Sequence, residues 1–130
     1  MQNIKNILKE ATLNHWPYPK TFEALKAAGL QRYEVQFANK YRAVFFGTGG
    51  TFVEDTLEGY KSLKAGDKFS PEGLKDAVIK HATKRTHYLD FLIDAAENGA
   101  SHYKVDMKKR TVTYFNPSET ESYEETVPQV

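Results

Sequence analysis

The stretch TFEALKAAGLQRYEV, residues 21–35, decides the fold, because it changes from a helix pattern to a strand pattern across one glycine. Phe22 and Leu25 have the spacing of apolar residues on one helix face, and Gly29 suits the left-handed conformation that often ends a helix. From Tyr33 onward, apolar and polar residues alternate, which is typical of a half-buried strand. The stretch therefore predicts a helix, a glycine stop and a strand in direct succession.

The same pattern returns in the second half of the chain as FLIDAAENGASHYKV, residues 91–105. Sliding the chain on itself until Tyr33 falls on Tyr103, without a gap, aligns identical residues from the first helix to the last strand. The identical pairs include Lys5/Lys75, Tyr18/Tyr88, Gly29/Gly99, Tyr33/Tyr103, Val35/Val105, Phe45/Phe115, Glu54/Glu124 and Thr56/Thr126. We interpret the chain as one domain of two repeats, residues 1–60 and 71–130, joined by a polar connector at 58–70.

Each repeat begins with two helices. Apolar residues at positions i, i+3, i+4 and i+7 mark the first of them as Ile4, Ile7, Leu8 and Ala11, and as Leu74, Ala77, Val78 and His81. Ser70 ahead of Pro71 is a start signal for the first helix of the second repeat, since a hydroxyl caps the first turn and proline suits the first helical position.

Three strands are predicted in each repeat, at about residues 33–37, 41–46 and 51–57, and at 103–107, 110–115 and 121–127. Two copies of an α-α-β-β-β unit imply an α+β fold, with an antiparallel sheet, helices packed on its apolar face and a pseudo-twofold axis. One copy of about 60 residues buries too little surface to fold alone.

Composition narrows the function classes. The formal net charge of +1 disfavours nucleic-acid binding, which usually needs a strong basic excess. The chain has no cysteine, so disulfides and thiolate catalysis are excluded. No apolar run approaches the roughly 20 residues of a membrane span. We expect a soluble, cytoplasmic protein that binds no membrane, and we predict no cofactor.

The run of residues 21–35, with the aromatic pair Phe45 and Phe46 after it, resembles the phage-envelope-protein-like family of small bacterial proteins, domain-of-unknown-function family 1398. The second half carries the same pattern at Tyr88, Asp90, Gly99, Tyr103, Val105, Tyr114 and Phe115. The resemblance covers nearly the whole chain and implies a bacterial, phage-related protein without an established activity. The chain departs from the pattern at Asn116 and Pro117, where a glycine-containing turn is typical.

Several motifs have a structural interpretation beside a functional one. The glycines of residues 47–51 lie between two strands, so they predict a hairpin turn rather than a phosphate loop. The paired acids at 54–55 and 124–125 are typical of solvated edge strands, with acid–base chemistry or the binding of a hard cation as the functional alternative. The basic cluster of Lys104, Lys108, Lys109 and Arg110 is interpreted as a solvated hairpin, with a weak contact to a polyanion as the alternative.

Four residues are candidates for a ligand-binding site. His81 occupies the apolar stripe where the first repeat has Ala11, so it is either a half-buried histidine with a protein partner or a ligand contact. Trp16, matched to Thr86, joins two helices with prolines beside it, as a hydrophobic plug beneath the sheet or as an aromatic contact surface. Tyr33 and Tyr103 would lie close to the pseudo-twofold axis.

Two hypotheses for the function follow. No nucleophile–base set and no metal-ligand spacing is visible in the sequence, so no catalytic and no metal site is predicted. This favours a non-catalytic binding or interaction protein of bacterial origin. A prophage origin is one option for its source, and a homodimer is one option for its oligomeric state. The alternative is a small enzyme or ligand carrier with a pocket between the repeats, near His81, Tyr33 and Tyr103.

Overall fold

The computed structural model describes residues 2–84 and 87–129 of the chain, which form four helices and six strands. Each repeat has two helices and then three strands, as predicted. In the first repeat they are α1 (Gln2–Leu13), α2 (Tyr18–Ala27), β1 (Leu30–Gln36), β2 (Arg42–Gly47) and β3 (Gly50–Glu54). In the second they are α3 (Pro71–Lys84), α4 (Tyr88–Glu97), β4 (His102–Asp106), β5 (Thr111–Phe115) and β6 (Ser122–Thr126).

All six strands form one antiparallel sheet in the order β3-β2-β1-β4-β5-β6. The repeats therefore join through their first strands, β1 and β4. Tyr33 pairs with Val105 and Val35 pairs with Tyr103, so the register is the same when the repeats are exchanged. The pseudo-twofold axis passes between Glu34 and Lys104, which face each other across the junction. The predicted α+β fold is confirmed.

The gapless alignment that matches Tyr33 with Tyr103 holds for the helices and the first strand, but it is wrong for the other two strands. Five residues separate the paired residues Gln36 and Arg42 in the first hairpin. Only four separate Asp106 and Thr111 in the second. The second repeat is therefore one residue shorter up to the start of β5. Its turn between β5 and β6 is longer than the turn between β2 and β3 and more than compensates for the missing residue.

This change of offset decides which side chains are equivalent. Phe45 corresponds to Tyr114 rather than to Phe115, because each lies opposite the matched tyrosine of the neighbouring strand. A slip of one residue moves a side chain to the other face of a sheet. Phe45 is accordingly buried under the helices, whereas Phe115 is half-buried on the opposite face.

The core lies between the four helices and one face of the sheet. Its largest fully buried side chains come from both repeats and are Phe22, Leu25, Val35, Phe37, Leu74, Leu92, Val105 and Met107. The start signal of α3 is confirmed, since Ser70 Oγ accepts a hydrogen bond of 3.0 Å from the Gly73 N–H. None of the helices in the described residues is long and apolar enough to cross a membrane.

The connector between the repeats is held against the second repeat. The Gly66 N–H donates a 2.8 Å hydrogen bond to the carbonyl of Ala96, at the end of α4. Gly99 follows α4 with φ +93°, and a Cβ at this residue would lie 2.5 Å from the carbonyl oxygen of Lys68. Close backbone contact, as well as the left-handed conformation, therefore requires glycine here.

The turn and edge predictions are confirmed. Thr48 and Gly49 form a two-residue turn between β2 and β3. The acidic strands β3 and β6 are the two edges of the sheet, and their charges oppose association with another sheet edge.

The interpretation of the basic cluster as a solvated hairpin is wrong for Arg110. Its side chain is only 12% exposed and is bonded to the carboxylate of Glu23, in the other repeat. Its guanidinium also donates to the carbonyls of Val127 and Pro128 and lies 4.7 Å from the ring of Phe22. The second hairpin turns back towards α2, so this cation fastens one repeat to the other.

Candidate functional site

The face of the sheet opposite the helices, called here the outer face, presents three rows of side chains across the strands. One row consists of Arg42, Gln36, His102, Phe115 and Ser122. The middle row consists of Val53, Val44, Glu34, Lys104, Thr113 and Glu124. The third row consists of Thr51, Phe46, Arg32, Asp106, Thr111 and Thr126. Every one of these side chains is exposed or half-buried.

The two repeats agree on the inner face and differ at several positions of the outer face. The inner pairs keep their chemical character, as Tyr33/Tyr103, Val35/Val105, Phe45/Tyr114 and Phe52/Tyr123. Four outer pairs change it, namely Glu34/Lys104, Arg42/Thr111, Val44/Thr113 and Val53/Glu124, whereas Arg32/His102, Phe46/Phe115 and Thr51/Ser122 keep it. The shared inner positions maintain the core, and the differences between the copies are concentrated on the outer face.

A ring with a cationic or basic partner lies on each side of the axis. In the first repeat the guanidinium of Arg32 lies 3.9 Å from the ring centroid of Phe46. In the second repeat His102 stacks on Phe115 with centroids 5.3 Å apart, and Lys104 Nζ lies 5.0 Å from the same ring. These contacts hold polar groups against apolar ones, which is a frequent combination in protein-binding surfaces.

His102 is fixed by hydrogen bonds at both ring nitrogens. Its Nδ1 lies 2.6 Å from Ser101 Oγ, and its Nε2 lies 2.6 Å from a carboxylate oxygen of Glu119. A neutral ring donates its Nε2–H to the carboxylate and accepts the Ser101 hydroxyl proton at Nδ1. Lys104 Nζ lies 3.1 Å from the same carboxylate. The hydrogen bonds from His102 and Lys104 lower the pKa of Glu119.

A longer loop in the second repeat supplies Glu119. Asn116 organises it, because its Oδ1 accepts the Glu121 N–H and its Nδ2 donates to Thr120 Oγ1, each over 2.9 Å. Glu119 itself has φ +58°, a left-handed conformation that directs the chain back over the sheet. The first repeat has only a two-residue turn at this place, so the acid–histidine contact belongs to one repeat alone.

The geometry of the linked Ser101 hydroxyl, His102 imidazole and Glu119 carboxylate supports a role in orienting side chains rather than in catalysis. Ser101 is 3% exposed, so a substrate cannot approach its hydroxyl as acyl transfer would require. Both nitrogens of His102 are engaged. The arrangement therefore fixes the carboxylate of Glu119 and the ammonium of Lys104 on the outer face.

The structure brings together two of the four predicted site residues. Tyr33 and Tyr103 are buried on the inner face with ring centroids 6.2 Å apart, packed edge to face. Their hydroxyls are hydrogen-bonded to those of Tyr18 and Tyr88. Burial raises the pKa of all four phenols well above the usual value, which keeps them neutral. These four residues are called the tyrosine quartet below.

The other two candidates pack against residues outside the quartet. His81 is half-buried against Phe91, with ring centroids 5.1 Å apart. Trp16 is half-buried, and Lys20 Nζ lies 4.4 Å from its ring centroid. The matched residue Thr86 lies outside the described residues. A ligand-binding role for these four residues stays a prediction.

Two shallow cavities are open to solvent. The larger, about 360 Å³, is lined by Asn39, Lys40, Tyr41, Arg42, Asp55 and Tyr60. The smaller, about 180 Å³, lies on the outer face and is lined mainly by Glu34, Gln36, Arg42, Val44, Phe46 and His102. Within residues 2–84 and 87–129, no group of three or more histidine, aspartate or glutamate side chains could hold a metal ion.

Sequence reasoning missed the outer face, although one signal for it was present. The charge reversal between Glu34 and Lys104 is visible in the gapless alignment of the repeats. The other differences were hidden, because that alignment paired residues from opposite faces in the later strands. Nothing local predicted the contact between His102 and Glu119, since a folded loop brings them together.

Comparison with known proteins gives a family but no activity. A protein-family model described as "Protein of unknown function (DUF1398)" matches residues 5–126. No curated protein matches the chain. The family match confirms the resemblance noted in the sequence, and it carries no evidence for a phage envelope.

Proposed function

We propose that this chain, which belongs to the family of proteins of unknown function DUF1398, is a non-catalytic interaction module that binds a protein through its outer face. One observation carries the proposal: the repeats keep the same inner face and differ in chemical character at four pairs of the outer face. A duplicated unit under selection for folding alone has no need of an asymmetric solvent-exposed face.

The composition of the outer face supports a protein partner. Phe46, Phe115 and Val44 are half-buried there, and Val53 is 45% exposed. Charged side chains surround these apolar groups. Protein interfaces combine a partly apolar centre with a polar, charged surround in this way.

A nucleic-acid partner is disfavoured by the charges on the same face. Asp106, Glu119 and Glu124 would repel a phosphate backbone across the second half of the face. Binding to nucleic acid gains most of its affinity from neutralised phosphates, and the formal net charge of the chain is only +1.

The cellular setting belongs to the proposal as well. The family resemblance supports a bacterial protein with a prophage origin as one option. A cytoplasmic location fits the ordinary composition and the absence of cysteine from the chain.

The alternative, a small enzyme or ligand carrier, is favoured by one observation. Tyr33 and Tyr103 converge at the pseudo-twofold axis, where the tyrosine quartet places four hydroxyls in an apolar core. A metabolite that bound there at 100 times its dissociation constant would add about 2.7 kcal/mol of stability. A thermal-shift screen tests this alternative, and a screen without a shift would contradict it.

The interaction proposal is tested with two matched charge reversals. Arg42→Glu changes an exposed cation of the outer face, and Lys75→Glu makes the same change on the exposed side of α3. Tagged wild-type protein and both variants are exposed to a bacterial lysate after nuclease treatment. We expect a protein partner that the wild type and Lys75→Glu retain and that Arg42→Glu loses.

Two results would contradict the proposal. One is equal retention by both variants, which would place the contact elsewhere. The other is a partner that disappears on nuclease treatment, which would make the ligand a nucleic acid. Circular dichroism of both variants confirms that each has folded, so that a loss of binding reports on the surface.

A further inference from the structure

We infer that the outer face binds a second copy of this chain, in a face-to-face dimer whose twofold axis runs parallel to strands β1 and β4. The inference rests on the proposed use of the outer face for protein binding. Four observations carry it: the charge of each half, the register of the rows, the size of the face and the acidic edges.

The two halves of the outer face differ in net charge. The first repeat contributes two cations and one acid, Arg32, Arg42 and Glu34. The second repeat contributes one cation and three acids, Lys104, Asp106, Glu119 and Glu124. A surface with a more basic half and a more acidic half is complementary to itself when one copy is turned over. Such a self-complementary patch is what a twofold dimer requires.

The rows of side chains select the direction of the axis. An axis parallel to the strands places β1 of one copy over β4 of the other. Each row then lies over the same row of the second copy. Glu34 of one copy then meets Lys104 of the second, in addition to the 3.9 Å contact that these two residues make within each chain, and the contact repeats by symmetry. In the third row, Arg32 meets Asp106 of the second copy. Stacked sheets keep their strands within about 30° of each other, so these contacts near the axis persist after twisting.

The other in-plane axis, perpendicular to the strands, gives repulsion. It places every strand on its own copy and the middle row on itself. Glu34, Lys104 and Glu124 would each meet the same residue of the second copy. Opposed like charges are unfavourable across an interface, so electrostatics chooses the parallel axis.

The size of the face predicts a weak dimer. Six strands about 4.8 Å apart, each with five residues that rise about 3.3 Å, make a face of roughly 29 by 17 Å. That is about 480 Å² of flat area on each copy, without the additional surface of the side chains, against about 800 Å² buried on each partner of a standard interface. A dimer of this area, with charges at its centre, should dissociate in the micromolar range and weaken with added salt.

The sheet edges favour stacking over edge-to-edge association. Glu54 lies on one edge strand, and Glu124 and Glu125 lie on the other. Acids at both edges repel those of another copy. The outer face is the part of the sheet where opposite charges can meet.

A lysine in place of Val53 could pair with Glu124 only between two copies and not within one chain. Val53 lies on β3, five strand spacings or roughly 24 Å from Glu124 on β6. In the dimer, Val53 lies over Glu124 of the second copy, at the end of the middle row. Val53→Lys should therefore create two new ion pairs by symmetry and tighten the dimer about fivefold, at the strength of exposed pairs.

The matched control is Ile79→Lys, because Ile79 is 49% exposed on α3 and Val53 is 45% exposed. Sedimentation equilibrium over a range of protein and salt concentrations measures each dissociation constant. We expect Val53→Lys to tighten the dimer, Ile79→Lys to leave it unchanged, and Val53→Lys with Glu124→Lys to lose the gain.

Three results would overturn the inference. A monomer at every concentration up to the millimolar range would exclude the dimer, while the lysate experiment would still decide the proposed function. Equal constants for Val53→Lys and Ile79→Lys would exclude this face. A dimer weakened by Val53→Lys would show that like strands meet and would exclude the parallel axis.

Discussion

Replacing Arg110 by alanine should destabilise the protein markedly, although the residue lies in a hairpin turn. The substitution removes the ion pair with Glu23, two hydrogen bonds to backbone carbonyls and the contact with the ring of Phe22. Loss of one partner from a buried ion pair costs about 3–5 kcal/mol, but Glu23 is 38% exposed and water can solvate it, so we expect about 2 kcal/mol.

The backbone at Arg110 gives a second, independent expectation. Its φ is +58°, and a residue with a Cβ pays about 1–2 kcal/mol in this left-handed region. Glycine avoids that cost but loses about 0.5–1 kcal/mol more chain entropy on folding. Arg110→Gly should therefore be more stable than Arg110→Ala by roughly 0.5–1 kcal/mol, although both lose the same contacts.

Urea unfolding followed by circular dichroism measures these differences, with the slope of each transition as a check on two-state behaviour. A double-mutant cycle of Glu23→Ala and Arg110→Ala isolates the pair. We expect a coupling free energy above about 0.5 kcal/mol. Additive effects of the two substitutions would refute the conclusion that this ion pair joins the repeats.

Three further outcomes are expected. Gly99→Ala should cost more stability in urea than Gly50→Ala, since both have positive φ but only at Gly99 would a Cβ meet backbone, namely the carbonyl of Lys68; equal losses would contradict the close packing. The carboxyl of Glu119 should titrate below its usual pKa by NMR, and its contribution to stability should be complete above the unfolded pKa and lost as the pH falls through the lowered value; a normal pKa, or one that His102→Ala leaves unchanged, would contradict the contact. The tyrosine quartet should titrate only with alkaline unfolding, because burial raises its folded pKa values, so that its contribution is complete below about pH 10 and lost above it; ionisation at pH 10 in the folded protein, followed by absorbance, would contradict its burial.

Local chemistry predicted the order and type of the elements. Ser70 marked the start of a helix, and the glycines after the second helix of each repeat, Gly29 and Gly99, have the expected positive φ. Alternation of apolar and polar residues from Tyr33 and Tyr103 predicted the two strands that later pair with each other. These signals depend on neighbours along the chain, which is why the sequence contains them.

The register of the later strands depends on loop lengths that identities conceal. Phe45 and Phe115 match in the gapless alignment, yet they lie on opposite faces of the sheet. An alignment without gaps rewards the identity of two residues and ignores the face on which each lies. Apolar residues at alternate positions, traced from Tyr103 through the shorter hairpin, would have indicated the one-residue shift between the repeats.

The candidate site was beyond local patterns. Its centre lies at the junction of β1 and β4, which are brought together only by the packing of the two repeats. The carboxylate of Glu119 reaches His102 because a loop folds back over the sheet, held by the side chain of Asn116. Residues that share an exposed face have no common spacing in the chain, so their grouping needed the structure.

Amide chemical shifts of ¹⁵N-labelled protein, recorded from low micromolar to millimolar concentration, test most directly whether the outer face is the interaction surface. The account predicts concentration-dependent shifts at outer-face residues such as Glu34, Val53 and Lys104, with smaller changes in the helices, and their reversal by salt. Shifts confined to α1 and α3, or no shifts at any concentration, would contradict association through this face.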